Sequence, residues 1–137
     1  MIKKTELIQI INSDEKIQAD ILSACKEIID YICSVSNKNA LEYIPYYYLC
    51  DKASSSPEVV LKSIYYLTQK EISLFEIKFE FIEGDYEPFQ VSNEYIIDAR
   101  ITQEFISPNT GLPVQDYKKK LFTYFSLSDF GKEIVCD

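Results

Sequence analysis

The apolar residues of this chain change period partway along it. From Ile17 to Ile32, and again from Val60 to Leu67, they recur every three or four positions, whereas Phe75, Ile77, Phe79 and Phe81 alternate with Glu76, Lys78 and Glu80. Spacing of three to four draws a stripe down a helix, and spacing of two lines one face of a strand. The expected class is therefore α+β, with N-terminal helices followed by a small antiparallel β-sheet.

Finer signals divide the chain. Ile17, Ile21, Leu22, Cys25, Ile28, Ile29 and Ile32 predict a helix over about 14–34, opened by Ser13-Asp14-Glu15, with a shorter helix before it at 4–11. "SVSNKN" (34–39) is a loop by composition. The strongest helix start is Ser56-Pro57-Glu58: a capping side chain, a proline suited to the first helical position and an acid at the positive helix end. Residues 92–101 read as a short helix capped by Ser92 or as another strand, with helix preferred; 83–85 and 107–111 read as turns. Residues 120–128 alternate again, and Ser128-Asp129 then caps a last short turn. With no repeat or linker, 1–137 reads as one domain.

Composition narrows the function classes. The chain has no histidine, which removes Ser-His and Cys-His nucleophilic pairs and the commonest general base. Its three glycines, Gly84, Gly111 and Gly131, stand too far apart for a phosphate-cradling loop. The acids from Glu76 to Glu87 lack the spacing of a calcium loop. The chain is thus expected to be no enzyme and to carry no cofactor or metal. Cys25, Cys33, Cys50 and Cys136 form no CxxC, and Cys25 and Cys33 would lie about 12 Å apart along one helix. Free thiols in a reducing cytoplasm are expected. Glu6 and Gln9 interrupt the first apolar stretch, which argues against a secretory signal, and no run approaches the roughly 18 residues of a membrane span.

Leu49-Cys50, Ala53, a polar turn, Ser56, Val60, Lys62 and Ile64 follow one another at offsets that resemble a helix-turn-helix, where small residues let two helices cross closely. "YFSLSDFGKEI" (124–134) looks like the wing strand and following turn of bacterial winged-helix proteins. The chain is thus similar to a winged helix-turn-helix domain over about 40–134, with residues 1–36 a helical addition. Two positions depart from that pattern: Ser54-Ser55 replaces the common Gly and apolar residue, and Glu71 replaces a Gly before the strand.

The resemblance implies that the second helix makes the contacts. Its outward positions would be Pro57, Glu58, Leu61, Lys62 and Tyr65, without the Arg, Asn or Gln that usually read bases. The wing would carry Glu76, Glu80, Glu83, Asp85 and Glu87, which repel phosphate. The net charge is −8, and residues 71–137 hold thirteen acidic against six basic residues. The expected function is that of a small acidic binding protein: a regulator, adaptor or inhibitor, including immunity-type or phosphate-mimicking inhibitors. It would meet a protein partner, a basic one by charge, through Glu58, Leu61, Lys62, Tyr65, Glu76, Glu80, Glu83, Asp85 and Tyr48. The alternative for Leu61 and Tyr65, of equal weight, is that the N-terminal helix covers them. The alternative is a DNA-binding transcriptional regulator, dimeric through the 14–34 helix. Monomer and homodimer both remain open, and no membrane contact is expected.

Three smaller expectations complete the reading. Lys118-Lys119-Lys120 is a solvated run, and Arg100, the only arginine, pairs with a nearby acid. In "YIPYYYLC" (43–50), Pro45 lies in the first turn of a helix whose 100° rotation per residue keeps Tyr46, Tyr47 and Tyr48 off any common face. Tyr46 would point inward and Tyr48 outward.

Overall fold

The computed structural model describes residues 2–137. In chain order the elements are α1 (Lys4–Asn12), α2 (Ala19–Ser34), β1 (Ile44–Pro45), α3 (Tyr46–Ala53), α4 (Pro57–Leu67), β2 (Phe75–Phe81), β3 (Phe89–Val91), α5 (Asn93–Thr102), β4 (Leu121–Leu127) and α6 (Asp129–Lys132), with 3-10 turns at Lys38–Leu41 and Tyr117–Lys120. The class is α+β, and the antiparallel sheet has the strand order β1-β4-β2-β3. Residues up to Glu76 together with Phe125–Asp137 form one compact unit, and Ile77–Tyr124 form a second.

In the first unit α2 packs on α3 and α4. Ala24, Cys25, Ile28, Ile29 and Ile32 of α2 are buried, as are Leu49 and Ala53 of α3 and Val60, Ile64 and Leu67 of α4. Ser63 is the buried polar residue at this crossing. Its hydroxyl donates to the Val59 carbonyl at 2.7 Å, and its own carbonyl accepts from the Cys25 thiol at 3.7 Å. A small residue with an internal partner lets the helices approach without leaving a polar group unsatisfied.

The start of α4 forms as its sequence dictates. The Ser56 hydroxyl accepts the Val59 N–H, and Pro57 opens the helix. Ser54, which ends α3, is left-handed at φ 49°, the conformation that the common Gly would adopt there without steric cost. Pro45 is the N-cap of α3, one position before the helix, because Ile44–Pro45 is spent as β1.

Two expectations fail in this unit. Ser13-Asp14-Glu15 does not open α2, which begins at Ala19. Ser13 instead ends α1, its hydroxyl donating to the Gln9 carbonyl, and Asp14 accepts the Lys16 N–H in a local turn. Short polar side chains serve either end of a helix, and here they close one rather than start the next. The second failure concerns the thiols. Cys33 and Cys136 form a disulfide with Cα atoms 5.6 Å apart, across a sequence separation of 103, and only Cys25 and Cys50 are free. The case for a reducing compartment therefore loses its footing on those two residues.

The C-terminal segment is joined to the N-terminal one as well. The Lys4 N–H donates to the Val135 carbonyl at 2.7 Å, and Thr5 donates to the Asp137 carboxylate through both its hydroxyl and its N–H.

The second unit has its own core. Phe81, Val91, Ile96, Ala99 and Phe105 are buried together. Phe105 stacks on Tyr117 with ring centres 5.1 Å apart and also meets Phe81 at 4.7 Å. β2 and β3 pair in the register Phe79↔Val91, Glu80↔Gln90 and Phe81↔Phe89, which puts the apolar residues of both strands on one face. Residues 93–102 are helical because Ser92 accepts the Tyr95 N–H.

Candidate functional site

The outward face of α4 is built by subtraction. Val60, Ser63, Ile64 and Leu67 point into the core, so Glu58, Leu61, Lys62 and Tyr65 face outward. Leu61 is 38 % exposed and Tyr65 is 54 % exposed, and a separation of four residues puts both on one side of the helix. The Ser63 carbonyl and hydroxyl meet α2, while Leu61 and Tyr65 keep part of their surface open. Lys62 is not a free cation on this face: its ammonium lies 3.2 Å from the Glu58 carboxylate one turn earlier.

Beside this face runs a groove of about 470 Å³, lined by Asp14, Ile17, Ile21, Lys62, Tyr65 and Tyr66 among others. Its wall is held by the Tyr66 hydroxyl, which donates to Asp14 at 2.8 Å. Burial first, and then the Asp14 carboxylate, push the Tyr66 phenol up to about 12. The same hydrogen bond holds the Asp14 carboxyl below its usual range. Asp14, Ile17 and Tyr66 were absent from the expected site residues. No local signal reveals them, because the bond joins positions 52 apart in sequence.

Tyr48 lies on α3 and faces α2. It is 37 % exposed and meets Tyr31 of α2 edge-on at 5.7 Å, and the Lys52 ammonium stands over both rings at 5.1 and 5.5 Å. Burial first, and then the Tyr48 hydroxyl, push the Tyr31 phenol up to about 12. The most open tyrosine of the run is Tyr47, at 74 %, followed by Tyr43. Tyr46 does turn inward, its ring 6.3 Å from Phe125 and its hydroxyl donating to the Pro57 carbonyl.

The expected acids separate. Glu76 belongs to the first unit and is exposed at the start of β2. Glu80, Glu83 and Asp85 lie in the second unit. Glu80 is half-buried, and Asp85 is exposed in the turn after β2. Glu83 is a structural brace: it accepts from the Ser107 hydroxyl at 2.5 Å and from the Asn109 amide at 3.3 Å. Those bonds tie the 83–86 turn to the 107–111 turn.

The Ser107 hydrogen bond, with smaller help from Asn109 and Lys120, holds the Glu83 carboxyl below its ordinary 4.5. A folded value below the unfolded one means the brace is complete above about pH 4.5 and is lost as pH falls through the folded value. Acid titration should therefore move the Asn109 and Thr110 amide resonances, whose N–H groups donate to Ser107. Glu83→Gln should abolish that response; an unchanged titration in the variant would refute the brace.

Among the described residues no group of three His, Cys, Asp or Glu side chains is placed to hold a metal ion, and no helix is long and apolar enough to cross a membrane. No family model, curated protein or solved structure matches the chain.

Proposed function

We propose that the chain is a non-enzymatic, protein-binding module on a winged-helix scaffold, engaging a basic partner through the outward face of α4. The scaffold reading is supported by a helix-turn-helix, α3 and α4, followed by the neighbouring strands β2 and β4. Ser54, although it departs from the pattern's Gly, is left-handed, and Ser128 caps the short helix after β4.

The observation that carries the binding reading is the chemistry of α4: an exposed Leu61–Tyr65 pair beside a lysine that pairs with Glu58 at the surface. A helix that reads DNA needs free donors for base edges and cations for phosphates. Here Lys62 is paired with Glu58 and Lys52 stands over two tyrosines, which leaves Lys16 as the other cation of the groove beside α4. The alternative of a DNA-binding dimer through α2 is weakened further, because the apolar stripe of α2 is buried in the first unit. A basic partner follows from the net charge of −8.

Two measurements test the proposal. Random duplex DNA at about 50 mM salt should not bind; binding that falls steeply with added salt would favour the DNA reader. Co-purification from the native host should yield one stoichiometric basic protein, lost at least tenfold in the Leu61→Asp, Tyr65→Ala double variant. Retention of that protein by the folded variant would remove α4 as the interface.

A further inference from the structure

The second unit contains a groove of about 670 Å³ whose chemistry is unlike the rest of this acidic chain. Its floor is apolar: Phe79 of β2, Leu121 of β4, and Ile96 and Ala99 of α5. Its rim carries Arg100 and Lys118, and no carboxylate is among the lining residues. Positions 96, 99 and 100 recur at helical spacing, so α5 sends Ile96 and Ala99 into the core and sets Arg100 at the edge of the same face, with Gln103 following the end of the helix. Tyr117 stacks on Phe105, which fixes the segment that presents Lys118.

Arg100 was expected to pair with an acid, and it does not. Among the described residues neither Arg100 nor Lys118 has an ion-pair partner, although the chain has 22 acidic residues. An unpaired guanidinium and ammonium on the rim of an apolar groove are complementary to one ligand chemistry: an anionic head with an apolar body. The volume is that of a small-molecule site, and a few convergent polar groups on a mostly apolar lining are what such sites use to orient a ligand.

We propose that this groove binds a small amphipathic carboxylate, with the carboxylate on Arg100 and Lys118 and an alkyl or aryl body over Phe79, Ile96, Ala99 and Leu121. The charge complementarity selects a carboxylate over a neutral or cationic ligand of the same shape. This site is independent of α4 and does not depend on the partner proposed for it.

The test uses the whole chain, labelled with 15N, titrated with octanoate and separately with 1-octanol. Octanoate should saturate amide shifts at Ala99, Gln103, Lys118 and Thr123, and octanol should bind at least tenfold more weakly. An Arg100→Gln, Lys118→Gln double variant should bring octanoate down to the octanol level. Both side chains are exposed, so the variant should keep its dispersed spectrum. Arg100→Lys, which keeps the charge, should retain most of the preference and serves if the double variant unfolds. Equal binding of acid and alcohol, shifts centred elsewhere, or no saturable binding would each overturn the proposal.

Discussion

Replacing Cys136 with Ser should lower stability by about 2–4 kcal/mol and the unfolding midpoint by on the order of 10 °C. The disulfide closes a loop with a sequence separation of 103, and long loops restrict the unfolded chain most. Its Cα atoms, 5.6 Å apart, fall within the ordinary range for such a bond. The tail keeps its hydrogen bonds to Lys4 and Thr5, so the variant should fold, only less stably. Thermal unfolding of the parent with and without reductant should reproduce the difference. Thiol counting is a second check. Unfolded, unreduced protein should show two reactive thiols, Cys25 and Cys50, and four after reduction. In the folded protein Cys25 should stay silent, because burial pushes its thiol up to about 12. Four thiols before reduction would exclude the bond.

The second large effect is expected at Gly131. Gly→Ala within a helix usually gains up to about 1 kcal/mol. Here a Cβ would lie 2.5 Å from the Leu74 carbonyl oxygen and 2.8 Å from the Leu127 Cδ1. The oxygen belongs to the backbone and is held on two sides: it accepts the Ser128 N–H at 3.0 Å and the Ser128 hydroxyl at 3.1 Å. Gly131→Ala should therefore destabilise by about 1–3 kcal/mol, and Gly131→Val by more. Gly84→Ala separates crowding from backbone strain, since Gly84 has open space around it and a φ of +52°. Its expected cost is about 1 kcal/mol. Urea midpoints for the three proteins give the order. A Gly131→Ala protein as stable as the parent would mean that α6 does not sit against Leu74.

The elements that were legible in the sequence are those decided by neighbours. Ser56-Pro57-Glu58 carries its own cap and first turn, and α4 begins where they place it. Ser92 likewise decides for helix at 93–102. The stretch from Phe75 to Phe81 forms β2, with Phe75 and Phe81 buried and residues 77–80 half-buried. Where a local signal could serve two purposes, distant contacts chose. Ser13 and Asp14 fit a helix start but end α1 instead, with Asp14 held by Tyr66 of α4. In the candidate surface, helical spacing puts Leu61 and Tyr65 on one side of α4 but does not say whether another helix covers them; Leu61 is 38 % exposed, and so, at 37 %, is Tyr48. Its exposure depends on Tyr31 and Lys52, and only Lys52 lies on its own helix.

By itself, then, the sequence determined the α+β class, the α4 cap and the shared side of Leu61 and Tyr65 on α4, because each depends on residue type and on spacings of a few positions. The tertiary structure alone decided the Cys33–Cys136 bond, the Glu83 brace, the unpaired Arg100 and the groove it rims. Each of these joins, or fails to join, side chains 24 to 103 positions apart, or depends on what several elements leave open between them. Such distances close only when the whole chain has paid its conformational entropy, and no local pattern records them.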